Sequence, residues 1–131
     1  ARALRADPTS ADRLPADLDE LAGYFREGGV GGVRAVPAEG ADVPVYLLGS
    51  SDFTAGVAAA RGLPFAFASH FAPDQMHEAI DLYRRRFEPS AALERPYVMI
   101  GVNVAVADTD VEAQTMFTTL QQSFLNLGRG T

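Results

Sequence analysis

The sequence contains no cysteine. Disulfides, thiolate nucleophiles and cysteine-ligated metal sites are therefore excluded. Basic residues are few: 11 Lys and Arg stand against 17 Asp and Glu, giving a formal charge of -6 and a pI of about 4.7. That balance speaks against a nucleic-acid partner, whose phosphates need clustered Lys and Arg, and against an anionic membrane surface. No stretch approaches the roughly 18 apolar residues of a membrane span. The opening Ala1-Arg2-Ala3-Leu4-Arg5 lacks both an initiator Met and the apolar run of a secretory signal. It reads as the interior of a longer sequence, and a cytoplasmic protein is the default expectation. No repeat of constant period and no low-complexity segment is present.

What remains is an ordinary globular composition, 47% hydrophobic and 21% charged over 131 residues. That length suits one modest domain with a real core. Leu18, Leu21, Ala22 and Phe25 repeat at helical spacing, which predicts a helix over Pro15 to Glu27 that stops at Gly28-Gly29. Residues 33–37 suggest a short extended segment, and residues 1–42 form a helix with a Gly-rich connection. Residues 43–131 have another rhythm. Apolar runs at Val43 to Leu48, Phe65 to Ala68 and Tyr97 to Val106 predict buried strands. Helices are expected over Asp52 to Arg61, closed by Gly62, over Asp74 to Phe87, and over Asp108 to Leu127. Apolar strands alternating with helices mean an α/β architecture built on a parallel sheet, wound by right-handed crossovers. Periodicity leaves open whether that sheet is open or closed. A complete eight-unit barrel takes roughly 250 residues, so this chain is an open domain or part of a barrel.

The most informative stretch is Tyr46-Leu47-Leu48-Gly49-Ser50-Ser51-Asp52-Phe53-Thr54-Ala55. A strand ends, small and hydroxyl residues follow, and a helix begins. The C-terminal ends of parallel strands are where α/β folds place their sites. Gly49 would let a ligand approach the backbone. The first helical amides have no intrahelical acceptor, and with the helix dipole they suit a phosphate. Ser50, Ser51 and Thr54 could add hydroxyls. The competing reading is plain capping, because Ser and Asp are favoured at helix starts. The stretch has neither the Gly-Lys-Ser/Thr of a Walker loop nor the glycines of a dinucleotide fingerprint.

The wider context resembles a known family. Leu47 to Ala55, followed by Ala59-Ala60-Arg61-Gly62-Leu63-Pro64-Phe65-Ala66-Phe67-Ala68-Ser69-His70-Phe71-Ala72-Pro73, is similar to the bacterial-luciferase-like flavin-dependent monooxygenases. Tyr83-Arg84, Phe87-Glu88-Pro89-Ser90, Pro96-Tyr97-Val98, Ala107-Asp108-Thr109-Asp110 and Gln121-Gln122-Ser123-Phe124 continue the likeness in order, from about Ala35 onward. The resemblance implies parallel β/α units of a TIM-type (β/α)8 barrel, here only a partial barrel of about half the full length. It implies reduced FMN at the strand ends, which with O2 oxidises a small organic substrate. Some relatives use the deazaflavin F420. By resemblance the flavin phosphate falls on Gly49, Ser50, Ser51, Asp52, Phe53 and Thr54, with Ser51 and Thr54 as hydroxyl contacts and the amides of Asp52 and Phe53 as backbone ones. A flavin reductase is a partner it suggests, and the two exposed sheet edges of an incomplete barrel would promote pairing with a second copy of the chain. The early strands, which supply much of the flavin pocket, and the closing strand have no counterpart here. The alternative is a non-catalytic half-barrel that binds or assembles through open sheet edges.

The other polar residues carry less. His70 is the one candidate for chemistry, since it ends a strand on the rim of the loop; the competing reading is a rim histidine held by a neighbour's carbonyl. His77 reads as a surface residue, and the two histidines lack the company of a metal site. Arg84-Arg85-Arg86 spread around a helix and form no single patch. Asn103 interrupts a β-branched run and needs a partner, either lining the interior or satisfying a backbone group. Met76, Met116 and Phe117 read as core. Asp7, Asp12, Asp17 and Asp19 complement the dipole of the first helix.

Overall fold

The computed structural model describes residues 10–70 and 72–129, with 10, 11 and 128 as backbone only. The expectations for Ala1 to Arg5, Asp7 and Phe71 lie outside the described residues. The chain divides into two compact units between Val45 and Tyr46.

In the first unit a 3-10 turn, Ser10–Arg13, runs into helix α1, Leu14–Phe25. Pro15 sits in the opening turn, where its missing N–H costs nothing. The expected extended segment over 33–37 is not a strand. Val30 and Val33 instead exchange two hydrogen bonds of 3.1 and 2.9 Å around Gly31-Gly32, forming an isolated antiparallel bridge. Both glycines have positive φ, 57° and 80°, as a tight two-residue turn requires. The chain then turns again over residues 36–40, through a cis Val36–Pro37 peptide. Glu39 ties this region together. Its carboxylate accepts the Gly28 N–H at 2.6 Å and the Arg34 Nε–H at 2.7 Å. The Arg34 bond first, and the Gly28 bond second, hold the carboxyl below its ordinary range.

The second unit is a three-stranded parallel sheet in the order β1 (Leu47–Gly49), β2 (Phe65–Phe67), β3 (Val98–Ile100). In the central strand Phe65 pairs with Leu47 on one side and Val98 on the other, and Phe67 pairs with Gly49 and Ile100. Helix α2 (Asp52–Ala60) connects β1 to β2, α3 (Met76–Arg86) connects β2 to β3, and α4 (Asp110–Arg129) follows β3. This is the strand-helix alternation that the apolar runs predict.

The core lies between the sheet and α2 and α3. Phe65, Phe67 and Tyr83 are its largest fully buried side chains. Ala55, Ala58 and Ala59 of α2 and Ala79 of α3 are also fully buried; such small residues let the two helices approach closely. The Tyr83 ring lies 5.5 Å from both Phe65, tilted to it, and Phe87, which it meets edge to face. Its hydroxyl donates to the Leu63 carbonyl at 2.9 Å and accepts the Tyr97 N–H at 3.2 Å. Strand register sends alternate residues to opposite faces. Leu48 and Met99, on the face away from α2 and α3, are 68% and 47% exposed.

The third strand is shorter than the β-branched run suggests. Pairing stops at Ile100, where β2 has ended at Phe67 and no further strand flanks β3 among the described residues. Val102, Val104 and Val106 beyond it are exposed. β1 likewise begins only at Leu47, whose N–H bonds the Pro64 carbonyl at 3.0 Å. Met116, expected in the core, is 59% exposed on α4, and Leu127 is exposed too, while Phe117 is partly covered.

Candidate functional site

Strand β1 delivers the chain to the edge where all three parallel strands end. Ser51 is the N-cap of α2, with extended backbone (φ −144°, ψ 162°), and it makes no side-chain capping bond. Ser51 thus stands where the capping reading of this junction puts it, but without a capping bond from its hydroxyl. The Ser51 carbonyl already accepts the Ala55 N–H at 3.3 Å. The amides of Asp52, Phe53 and Thr54 form the opening turn, which has no acceptor within the helix. Ser50, Ser51 and Thr54 are partly exposed; Asp52 and Phe53 are exposed. α2 thus presents polar groups at its start and alanine at its buried face.

Gly49 has a specific steric role. A β-carbon there would lie 2.5 Å from both Cβ and Oγ1 of Thr54. The close approach at this glycine is therefore made by Thr54, which folds back from the first turn of α2 onto the end of β1. The carbonyl of Gly49 accepts the Ala68 N–H at 3.0 Å, extending the β1–β2 ladder to the point where Ser69 and His70 emerge. Because the strands are parallel, His70 and the 49–54 segment leave the sheet at the same edge.

Side chains continue the β2–β3 pairing where the strands stop. Ser69 Oγ donates to the Gly101 carbonyl at 2.6 Å and accepts the Gly101 N–H at 3.0 Å. Asn103 Nδ2 donates to the His70 carbonyl at 2.7 Å. Of the two readings of Asn103, satisfaction of a backbone group is the one observed. A β-carbon at Gly101 would lie 2.7 Å from His70 Nδ1 and 3.3 Å from its Cγ, so the imidazole rests against a bare backbone. A glycine within a β-branched run marks a close approach, but nothing in the sequence names His70 as the group that makes it. His77, Arg84, Arg85 and Arg86 are exposed on α3. Among the described residues no group of three or more His, Asp or Glu could hold a metal ion, and no helix is long and apolar enough to cross a membrane.

Comparison with known proteins agrees with this architecture. The family model described as luciferase-like monooxygenase matches residues 16–128. The uncharacterized protein YvbT of Bacillus subtilis is 50% identical over 133 residues, covering all of this chain and 40% of that protein. A luciferase-like monooxygenase of Escherichia coli K12 is 49% identical over 120 residues, covering 91% of this chain and 36% of that protein. The crystal structure of apo-MsnO8 superposes with a TM-score of 0.79 at 31% identity, again over 91% of this chain and 36% of the other. The chain spans about two-fifths of the length of these relatives, and its β/α units are those of a partial TIM-type barrel. By the family-model match and the identity to these relatives, the chain belongs to the luciferase-like monooxygenase family.

Proposed function

We propose that this chain is the phosphate-gripping part of a flavin-dependent monooxygenase, with FMN as the cofactor and Gly49, Ser50, Ser51, Asp52, Phe53 and Thr54 around its phosphate. The observation that carries this reading is the N-cap of α2. Ser51 caps nothing with its side chain, so its hydroxyl and the amides of residues 52–54 are available together. Oriented N–H groups and the positive end of the helix dipole favour a dianion there. Thr54 holds the turn against β1 through Gly49, so the donors are set before a ligand arrives. Asp52 takes part through its amide, its side chain being exposed. The flavin supplies the oxygen chemistry. The chain's own residues bind the phosphate, fix the cofactor's position along the strand ends and place His70 beside it. Belonging to the family supports a small organic molecule as substrate and a larger protein as the active unit. F420 would meet the same loop through a different phosphate and is the alternative cofactor.

The test is a titration of the purified chain with FMN, riboflavin and F420, followed by fluorescence. FMN is expected to bind and riboflavin to bind at least about tenfold more weakly, since hydrogen bonds to a charged group contribute about 1.5–3 kcal/mol each. Ser51→Glu, which puts a negative charge in the loop, should abolish FMN uptake without changing the circular dichroism. Equal affinity for FMN and riboflavin, or full uptake by the variant, would overturn the reading.

A further inference from the structure

We infer that Gly101 and Asn103 are positioning residues that set His70 as a ligand contact beside the 50–54 loop. The inference rests on the phosphate reading of that loop and adds to it a specific side chain and the residues that hold it. Three observations carry it. Gly101 is bonded through both its N–H and its carbonyl to the Ser69 hydroxyl, so the residue before His70 is fixed at two points. Asn103 uses its side-chain N–H on the His70 carbonyl, fixing the residue itself at a third. The imidazole then lies against the Cα of Gly101, where any β-carbon would collide with Nδ1.

A turn at a strand exit does not need this much restraint to connect β2 to α3. The clamp commits a serine hydroxyl, an asparagine amide and a glycine to one exposed corner, and among the described residues the side chain they hold there with titrating chemistry is His70. Strands in a sheet lie about 4.8 Å apart. A cofactor anchored by its phosphate at the exit of β1 would therefore sit one strand spacing from the exit of β2 and from that ring. An imidazole N–H can donate to a phosphate or ribityl oxygen. Packed against the Gly101 backbone, it would do so with little entropy left to lose.

Two measurements on the 131-residue chain test this. The first needs no ligand. The sequence has two histidines, His70 and His77, so the ring signals of a His70→Ala chain assign both. Gly101→Ala and Asn103→Ala are each expected to shift the His70 ring resonances and leave those of His77 in place. Unmoved His70 signals would overturn the positioning role whatever the loop binds. The second is a double-substitution cycle on FMN affinity. His70→Ala and Gly101→Ala should each weaken binding several-fold, and the pair should weaken it no more than His70→Ala alone. Additive losses would mean that Gly101 acts through general stability and not through His70. Should Gly101→Ala fail to fold, Asn103→Ala takes its place in the cycle. If the unaltered chain takes up no FMN, the loop reading fails and the ligand role of His70 falls with it, while the ring signals still decide the positioning role.

Discussion

Tyr83 does the work of two residues. Its ring fills the space between Phe65 and Phe87, and its hydroxyl serves the Leu63 carbonyl and the Tyr97 amide at once. It thereby joins the start of β2 to the residue before β3. Tyr83→Phe keeps the ring and leaves two backbone groups without that partner, which should cost about 1–3 kcal/mol. Chemical denaturation would register this as a lower midpoint at unchanged slope. Burial, the larger influence, pushes the Tyr83 phenol above its ordinary value, and the Tyr97 N–H opposes it. The unfolded chain then loses this proton first as pH rises. The contribution is complete below the ordinary tyrosine value of about 10 and is lost as pH climbs from there through the raised folded value. The Tyr83→Phe chain should lack that component of alkaline destabilisation. An unchanged midpoint at neutral pH would show that the two bonds contribute nothing net.

At the scale of elements, helix starts differ in how they are satisfied. The start of α2 leaves the Ser51 side chain out of the cap. The start of α4 is closed by its own side chains: Thr109 N and Oγ1 both donate to Glu112 Oε2, at 3.1 and 2.9 Å, and the Glu112 N–H returns to Thr109 Oγ1 at 3.3 Å. This is a reciprocal capping box, and it contrasts an end built for itself with one left available. Thr109→Ala should cost about 1 kcal/mol and speed amide exchange over residues 110–113, while Thr109→Ser should restore both. Exchange unaffected by the alanine would remove the box as the cause of the helix start. The Thr109-Asp110-Val111-Glu112 run carries that box in the sequence, yet periodicity alone puts the helix start at Asp108, two residues early. Element order and helix type were legible because apolar spacing of two kinds alternates along the chain. Strand length was not, because pairing depends on a neighbour: Val102, Val104 and Val106 have strand character but no partner in register. The Gly31-Gly32 turn was legible in principle, since paired glycines suit a tight turn. The junction between β1 and α2 at residues 49–54 could be located from residue type and context. The Ser69–Gly101 and Asn103–His70 bonds could not, because they join positions more than thirty residues apart.

At the scale of the whole molecule, the second unit has one face of its sheet covered by α2 and α3 and the other carrying exposed apolar side chains. Tyr46, Leu48, Tyr97 and Met99 are all at least 47% exposed. Tyr46 and Tyr97 meet edge to face at 6.1 Å, one residue before β1 and β3 begin. In a closed barrel such a face points inward and is filled in layers by alternate strands; the relatives, about two and a half times as long, have the chain length to supply the rest. In the 131-residue chain the same face, together with the open edges of β1 and β3, offers apolar surface and unpaired backbone groups to another copy. The chain by itself should therefore associate, with an average mass in sedimentation equilibrium that rises with concentration. Leu48→Lys with Met99→Lys puts charge on that face while leaving the opposite face, where Leu47 is buried, untouched. The pair is expected to shift the equilibrium towards monomer and to preserve the circular dichroism. Association that persists unchanged in the pair would locate the contact elsewhere, on the exposed valines after β3 or on the apolar side of α4. A chain that is monomeric throughout would mean that this face is tolerated in water, and that the barrel's interior layers contribute less to holding its halves together than their apolar area suggests.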